Sequence, residues 1–315
     1  MTANTANVDM ESNMVNPKAR ALKEKERHDY NAVAKYYDAN TSPLTDVFGL
    51  RTVELLDPQP GDKVLEVTCG SGTMIPELAR RVGPNGMVTG FDQSDGMLQL
   101  ARKKAEEHGL TQVNFYQGDA EALPNVPTAT YDRAMSVFGF MYFPNPVTAL
   151  KKVKAALKPG GRVVITVWGM PETVPGLTLP MEGGARVLFP PPISWFMSTG
   201  LGRKMLYKQL LKDKLGGGKS PMSLAPAGLL EGYMAEAGFT HLKREEPSNV
   251  FIYKDFDEYW DVLMGTPARV LIQKYSDAKV AKTKAMITQL LHERHRMKDG
   301  RFGVPMTAVI VAGNA

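Results

Sequence analysis

The stretch Val64–Gly72, VLEVTCGSG, runs an apolar strand signal into a glycine turn, with the carboxylate of Glu66 just ahead of it. Gly70 and Gly72 would let backbone approach a ligand at the N-terminus of the following helix. A second acid, Asp92, stands 20 residues after Gly72, at the end of the next strand signal. A carboxylate there can accept both hydroxyls of a ribose. Asp119-Ala120 closes a third strand signal, where an adenine amino group would sit. A dinucleotide site would want a third glycine where Ile75 stands, and Glu66 would not help its pyrophosphate. S-adenosylmethionine (SAM) carries a sulfonium and an ammonium but no phosphate, so an acid beside the turn makes electrostatic sense.

The elements that must position these residues alternate. Strand signals at Lys63–Val67, Met87–Phe91, Val113–Gln117, Tyr131–Val137 and Arg162–Trp168 are separated by helical patterns at Met74–Val82, Met97–His108 and Pro146–Leu157. Such alternation predicts parallel β-α units and a doubly wound α/β sheet. Two helical patterns precede it, over residues 18–38 and 47–56. After Trp168 the pattern breaks into a segment rich in Pro, Gly, Met and aromatics, whose prolines are expected to prevent a regular helix. A helix over 223–237, capped by Ser223, strands near Phe239–Arg244 and Val250–Tyr253, a helical run over 255–298 and a last strand at Pro305–Val311 complete the chain.

VLEVTCGSG, GFDQSDGML, GDAEALP, YDRAMSVFGFMYFPNP and LKPGGRVVITVW, in this order and spacing, resemble class I SAM-dependent methyltransferases, and most of all the ubiquinone/menaquinone C-methyltransferase-like group (methyltransferase type 11). The resemblance covers residues 30–170. It implies a Rossmann-like, seven-stranded sheet with an antiparallel last strand. It also implies that Glu66, Thr68, Gly70 and Gly72 surround the methionine moiety, and that Asp92 holds the ribose, with Gln93 and Met97 close by. Asp119 and Ala120 would meet the adenine, Ser136 would face SAM from the fourth strand, and Tyr37 of the Tyr37-Asp38 pair would close over it. The product would be S-adenosylhomocysteine. The division expected is an N-terminal tail (1–16), a helical cap (17–56), the SAM-binding core (57–169), a lid insertion (170–222), a core continuation (223–254), a helical insertion (255–300) and the last strand (301–315). One departure stands out: Thr68 occupies a position where the group more often has glycine or alanine. Read as a strand-end residue with ordinary β dihedrals, it would be tolerated.

The remaining chemistry is sparse. One cysteine, Cys69, and five scattered histidines exclude a disulfide framework and a cysteine-rich metal site. His28 and Tyr37 are the candidate catalytic groups, His28 as a general base. Phe138 and Phe140, with Trp195 and Phe196 of the lid, are candidates for a wall against an apolar or aromatic acceptor methylated on carbon or oxygen. Two alternatives stay open: an enzyme using SAM without methyl transfer, as a cyclase or lyase, and a non-catalytic binding module. The net charge of +5 is accounted for by one stretch, Leu201–Ser220, with six basic residues against Asp213. A single patch argues against a nucleic-acid track. Its apolar positions spread around the helical wheel, so it reads as a lid helix with lysines extending to water; peripheral membrane contact stays open. No run is apolar enough to span a bilayer and no signal-peptide pattern appears, which makes a cytoplasmic protein the expectation.

Overall fold

The computed structural model describes residues 17–211 and 220–315. The expected N-terminal tail, and Lys212, Lys214 and Lys219 of the basic stretch, lie outside the described residues. The chain opens with α1 (Pro17–Asn40) and α2 (Ser42–Leu56). The alternating units follow as β1 (Lys63–Val67), α3 (Ile75–Val82), β2 (Met87–Asp92), α4 (Asp95–Glu107), β3 (Val113–Gln117), β4 (Tyr131–Val137), α5 (Pro146–Ala156) and β5 (Leu157–Trp168). The lid insertion holds α6 (Pro175–Leu188), α7 (Ile193–Ser198) and α8 (Gly200–Leu210). After it come α9 (Leu229–Glu236), β6 (Thr240–Glu245), β7 (Ser248–Tyr253), α10 (Phe256–Met264), α11 (Ala268–Ile272), α12 (Asp277–His295) and β8 (Phe302–Asn314).

The strands form one sheet in the order β3-β2-β1-β4-β5-β8-β6, with β7 also on β8. Pairing is parallel from β3 through β5, and β8 runs antiparallel to β5. β6 and β7 pair with successive halves of β8 and together make one edge, interrupted at Glu246-Pro247. Pro247 has no N–H for a ladder, but its carbonyl accepts from Ala308 N. The eight strands therefore occupy seven positions, as the expected sheet requires. Burial on both faces explains the apolar, β-branched runs of β1 and β5. The strand order reverses between β1 and β4, which opens a crevice at their C-terminal ends.

Local chemistry sets several boundaries. The Ser94 hydroxyl accepts from Met97 N and starts α4 two residues earlier than the apolar pattern suggests. Ser223 does not cap a helix: α9 starts after Gly228, at φ +81°, and Ser223 Oγ donates to Met141 O. The lid is also more regular than its prolines imply. Pro175 sits in the first turn of α6, where its missing N–H costs nothing, and Pro190–Pro192 fall between α6 and α7. Pro180 alone lies inside a helix.

The lid is fastened by charge. Glu182 on α6 is fully buried and accepts from Arg186 Nη2 at 2.6 Å. Arg294 on α12 reaches the same carboxylate with both terminal nitrogens, at 2.7 and 2.9 Å. Removing one member of such a set leaves desolvated charge behind, at a cost of about 3–5 kcal/mol. Glu182→Ala is expected to lower the melting temperature and to expose residues 170–211 to protease before the sheet. An unchanged melting temperature would contradict this anchoring.

Candidate functional site

The glycine turn after β1 and the end of β2 are held together by one carboxylate. Asp92 Oδ2 accepts from Gly70 N at 2.9 Å, and Oδ1 accepts from Ser94 N at 2.8 Å. Burial pushes its carboxyl above the usual range, and these backbone donors oppose that shift. Gly70 and Gly72 have φ of +54° and +73°, in the left-handed region that glycine enters without strain. A Cβ on Gly72 would come 2.9 Å from that of Ala101, so this glycine also lets α4 pack against the turn. A Cβ on Gly70 would meet nothing within 4 Å, which leaves room for a ligand against the backbone.

Beneath the turn lies an excess of acid. Glu66 is buried beside Asp92; desolvation first, then the Asp92 charge, raises its carboxyl to about 8. Its Oε2 has no hydrogen-bond partner among the described residues. Asp46 of α2 is likewise raised by burial and carries an unpartnered buried oxygen. Lys104 offsets part of this charge, binding Asp38 at 3.0 Å and Ser71 O at 3.1 Å. An orphaned carboxylate oxygen under an open glycine turn suits a cationic ligand such as SAM and opposes an anionic one.

Thr68 does not have ordinary β dihedrals. Its φ is +63°, a conformation that strains a β-branched side chain. A glycine at this position would take that φ without strain. Thr68 Oγ1 bonds Ser136 Oγ at 2.7 Å and donates to the Val67 carbonyl. Ser136 is accordingly fully buried and spends its hydroxyl on Thr68, away from the cavity wall. Phe138, at the end of β4, has φ +55° and stacks on Trp168 with ring centroids 3.8 Å apart. Next to it, a Cβ on Gly139 would overlap Thr68 Oγ1. The bulk introduced at position 68 is accommodated by a glycine across the crevice.

A cavity opens between these strand ends and α1. Lys23, Glu26, Tyr30 and Tyr37, on one face of α1, line one side. Thr68, Gly70, Asp92, Gln93, Met97, Asp119 and Ala120 line the core side, and Phe138, Tyr142 and Phe143 form an aromatic wall. Three polar links seat α1 across it. Lys23 Nζ bonds Asp119 at 2.7 Å and Glu121 at 2.6 Å. Asn31 Oδ1 accepts from Ser94 Oγ at 2.7 Å and Gly96 N at 2.9 Å. Asp38 takes the Ser71 hydroxyl and Lys104. The space left is about 90 Å³, against the several hundred of a typical small-ligand site. Admitting a nucleoside requires α1 to move outward.

Several expected residues lie elsewhere. Glu66 and Gly72 sit beneath the wall and not on it. Phe140 belongs to a 3-10 turn, Phe140–Tyr142, that turns it wholly into the core beside Phe143. His28 points to solvent, its side chain 76% exposed and 3.4 Å from Asp29. Trp195 is 70% exposed on the lid, and neither it nor Phe196 lines the cavity. Conversely, Lys23, Glu26, Tyr30 and Asn31 were absent from the sequence reading of the site. Their signal was the α1 spacing, with residues 23, 26, 30 and 37 on one helical face.

Comparison with known proteins agrees with this architecture. The methyltransferase-domain family matches residues 58–176. The demethylmenaquinone methyltransferase of Lactococcus lactis is 28% identical over 221 residues, covering 69% of this chain and 82% of that protein. Its counterpart from a Geobacillus strain is 33% identical over 159 residues, covering 49% of this chain and 68% of the relative. The solved structure of YcgJ from Bacillus subtilis superposes with a TM-score of 0.50 at 16% identity, over 84% of this chain and 96% of that one, which shows a shared fold.

The contact between Thr68 and Gly139 yields a double-mutant cycle. Gly139→Ala alone is expected to destabilise the protein by about 1–3 kcal/mol through overpacking. In a Thr68→Gly background the same change should cost less than about 0.5 kcal/mol, because the obstructing atoms are gone. Chemical denaturation of the four proteins measures the coupling, and additive effects would contradict the close approach.

Proposed function

The chain belongs to the class I SAM-dependent methyltransferases of the quinone C-methyltransferase type, and from that premise we propose that its acceptor is a small hydroxylated aromatic of the quinol kind, deprotonated by Glu26. One observation carries the reading. Glu26 is 7% exposed, lines the cavity, and has no hydrogen-bond or ion-pair partner among the described residues. Burial raises its carboxyl to about 7; Lys25 opposes that shift and Asp29 adds to it.

Elimination among the lining groups supports this role. Asp92 accepts two backbone N–H groups, and Asp119 pairs with Lys23. Desolvation holds the phenols of Tyr30, Tyr37 and Tyr142 above their ordinary value, so they stay protonated and act as donors. Glu26 remains as the group that changes protonation near neutral pH, which suits a general base. Bound SAM supplies an activated methyl carbon, and the residues of this chain orient the partners and exclude water. The acceptor hydroxyl gives its proton to Glu26 as its ring carbon or oxygen takes the methyl. SAM held there would give up the methyl with the S–C bonding pair staying on sulfur, as neutral S-adenosylhomocysteine. The aromatic wall of Phe138, Tyr142 and Phe143 offers flat apolar contact for such a ring. The relatives similar to this chain are named for demethylmenaquinone, a quinone whose reduced form is a hydroxylated aromatic.

Methyl transfer to reduced 1,4-naphthoquinone and a panel of naphthols tests the proposal. Activity should fall as pH drops through about 7, because Glu26 must be ionised to accept the proton. Glu26→Gln should lower kcat by about a hundredfold or more and abolish that acid limb, with SAM affinity within about threefold of wild type. Glu26→Asp should restore part of the rate. A wild type inactive on the whole panel would refute the acceptor class. An active wild type with a fully active Glu26→Gln would refute the base alone.

A further inference from the structure

On the lid, remote from the cavity, exposed apolar side chains gather with cations. Leu188, Phe189, Ile193, Trp195, Leu201 and Met205 are all exposed. From residue 183 to residue 211 there is no Asp or Glu, while Arg186, Arg203, Lys204 and Lys208 are basic. Monomeric proteins rarely expose a contiguous patch of this kind without a partner for it.

The helical wheel of α8 shows how the patch is built. Gly202, Leu206 and Leu210 recur at four-residue spacing and are buried against the protein. Leu201, Lys204, Met205 and Lys208 follow the i, i+3, i+4, i+7 spacing of the opposite face, and all four are exposed. The apolar residues that appear scattered in sequence thus form two stripes, and the outer stripe interleaves apolar groups with lysines.

A groove runs beside the patch, between the end of α6 and α12, with a volume of about 620 Å³. Leu188, Phe189, Pro190 and Met286 give it apolar walls, and Lys282 and Arg186 line it as cations. The Arg186 side chain is nine-tenths buried, yet its Nε has no hydrogen-bond partner among the described residues. The set Glu182, Arg186 and Arg294 holds one carboxylate against two guanidiniums. The bonded set therefore carries one more guanidinium than carboxylate.

We propose that this face of the lid docks on an anionic lipid bilayer, with Trp195, Ile193 and Phe189 entering the interface and Lys204, Lys208 and Lys282 facing the headgroups. Apolar bodies with a tryptophan at one level and lysines beside them are what an interfacial segment requires. Arg186 Nε, unpartnered among the described residues beside apolar walls, suits an anionic headgroup with acyl carbons next to it. A second copy of the chain fits less well. An isologous contact through this face would set its lysines against their own copies, with no acid on the segment to meet them.

Vesicle co-sedimentation tests the proposal without reference to activity. The full chain is expected to bind phosphatidylcholine vesicles containing about 30% phosphatidylglycerol at least tenfold more strongly than pure phosphatidylcholine, and to lose most of this in about 0.5 M salt. Trp195 should be quenched by brominated acyl chains, while the buried Trp168 and Trp260 should not. Trp195→Ala and the pair Lys204→Glu with Lys208→Glu should each weaken binding at least tenfold, with the SAM-induced melting shift unchanged as a check on folding. Equal binding to neutral and anionic vesicles, or no binding to either, overturns it. So does a dimer in sedimentation velocity that fails to bind vesicles and is broken by Trp195→Ala, an outcome that would give the face to a second copy.

Discussion

One buried carboxylate holds the two halves of the site in register. Asp92 can remain at the end of β2 only because Gly70 N and Ser94 N satisfy it. Those two bonds fix the glycine turn, the N-terminus of α4 and the strand ends relative to one another. Everything nearby inherits that geometry. Gly72 packs on Ala101 because the turn lies where Asp92 holds it, and Ser94 is placed to start α4 and to bind Asn31.

The cap depends on the same frame. α1 has no acid in its first turn and no basic residue in its last, so its ends gain little from the helix dipole. Its stability comes from what it touches. Lys23, Asn31 and Asp38 bind residues that follow β3, β2 and β1 respectively, and Arg269 of α11 stacks 3.7 Å above Tyr36 on its outer side. These polar contacts are local to the strand ends, so they can open without disturbing the sheet. Beside them α1 has only a small apolar seat, Val33 and Ala34 against Met97 of α4, apart from the main core of the sheet.

The sheet was legible because burial on both faces writes apolar, β-branched runs into parallel strands, and the alternation with amphipathic helices leaves few topologies. The glycine turn, Asp92 and Asp119 were legible because their chemistry is rare at strand ends. Glu26 and Lys23 were not, since on a helix with many charges each looks like a solvated side chain until the opposing wall is known. Phe138 and Phe140 have the same type and spacing, but a single 3-10 turn sends one to the cavity and the other to the core. Thr68 was visible as an oddity and misread, because a residue's φ is set by what surrounds it. The partner that explains it, Gly139, lies in the loop after β4, far away in sequence.

The buried carboxylates at these strand ends are suited to a cation. Glu66, raised to about 8 with an unpartnered oxygen, is mostly protonated at pH 7 in the free protein. A cation bound close above it favours the ionised form, so SAM held at the glycine turn is expected to release a proton between the ordinary glutamate value and about 8. Titration calorimetry of SAM in two buffers of different ionisation enthalpy, from pH 6 to pH 8.5, measures this directly. The account predicts net proton release at pH 7, affinity that rises with pH and levels off above about 8, and a flattened profile in Glu66→Gln. An affinity independent of pH, with no proton exchanged, would contradict it.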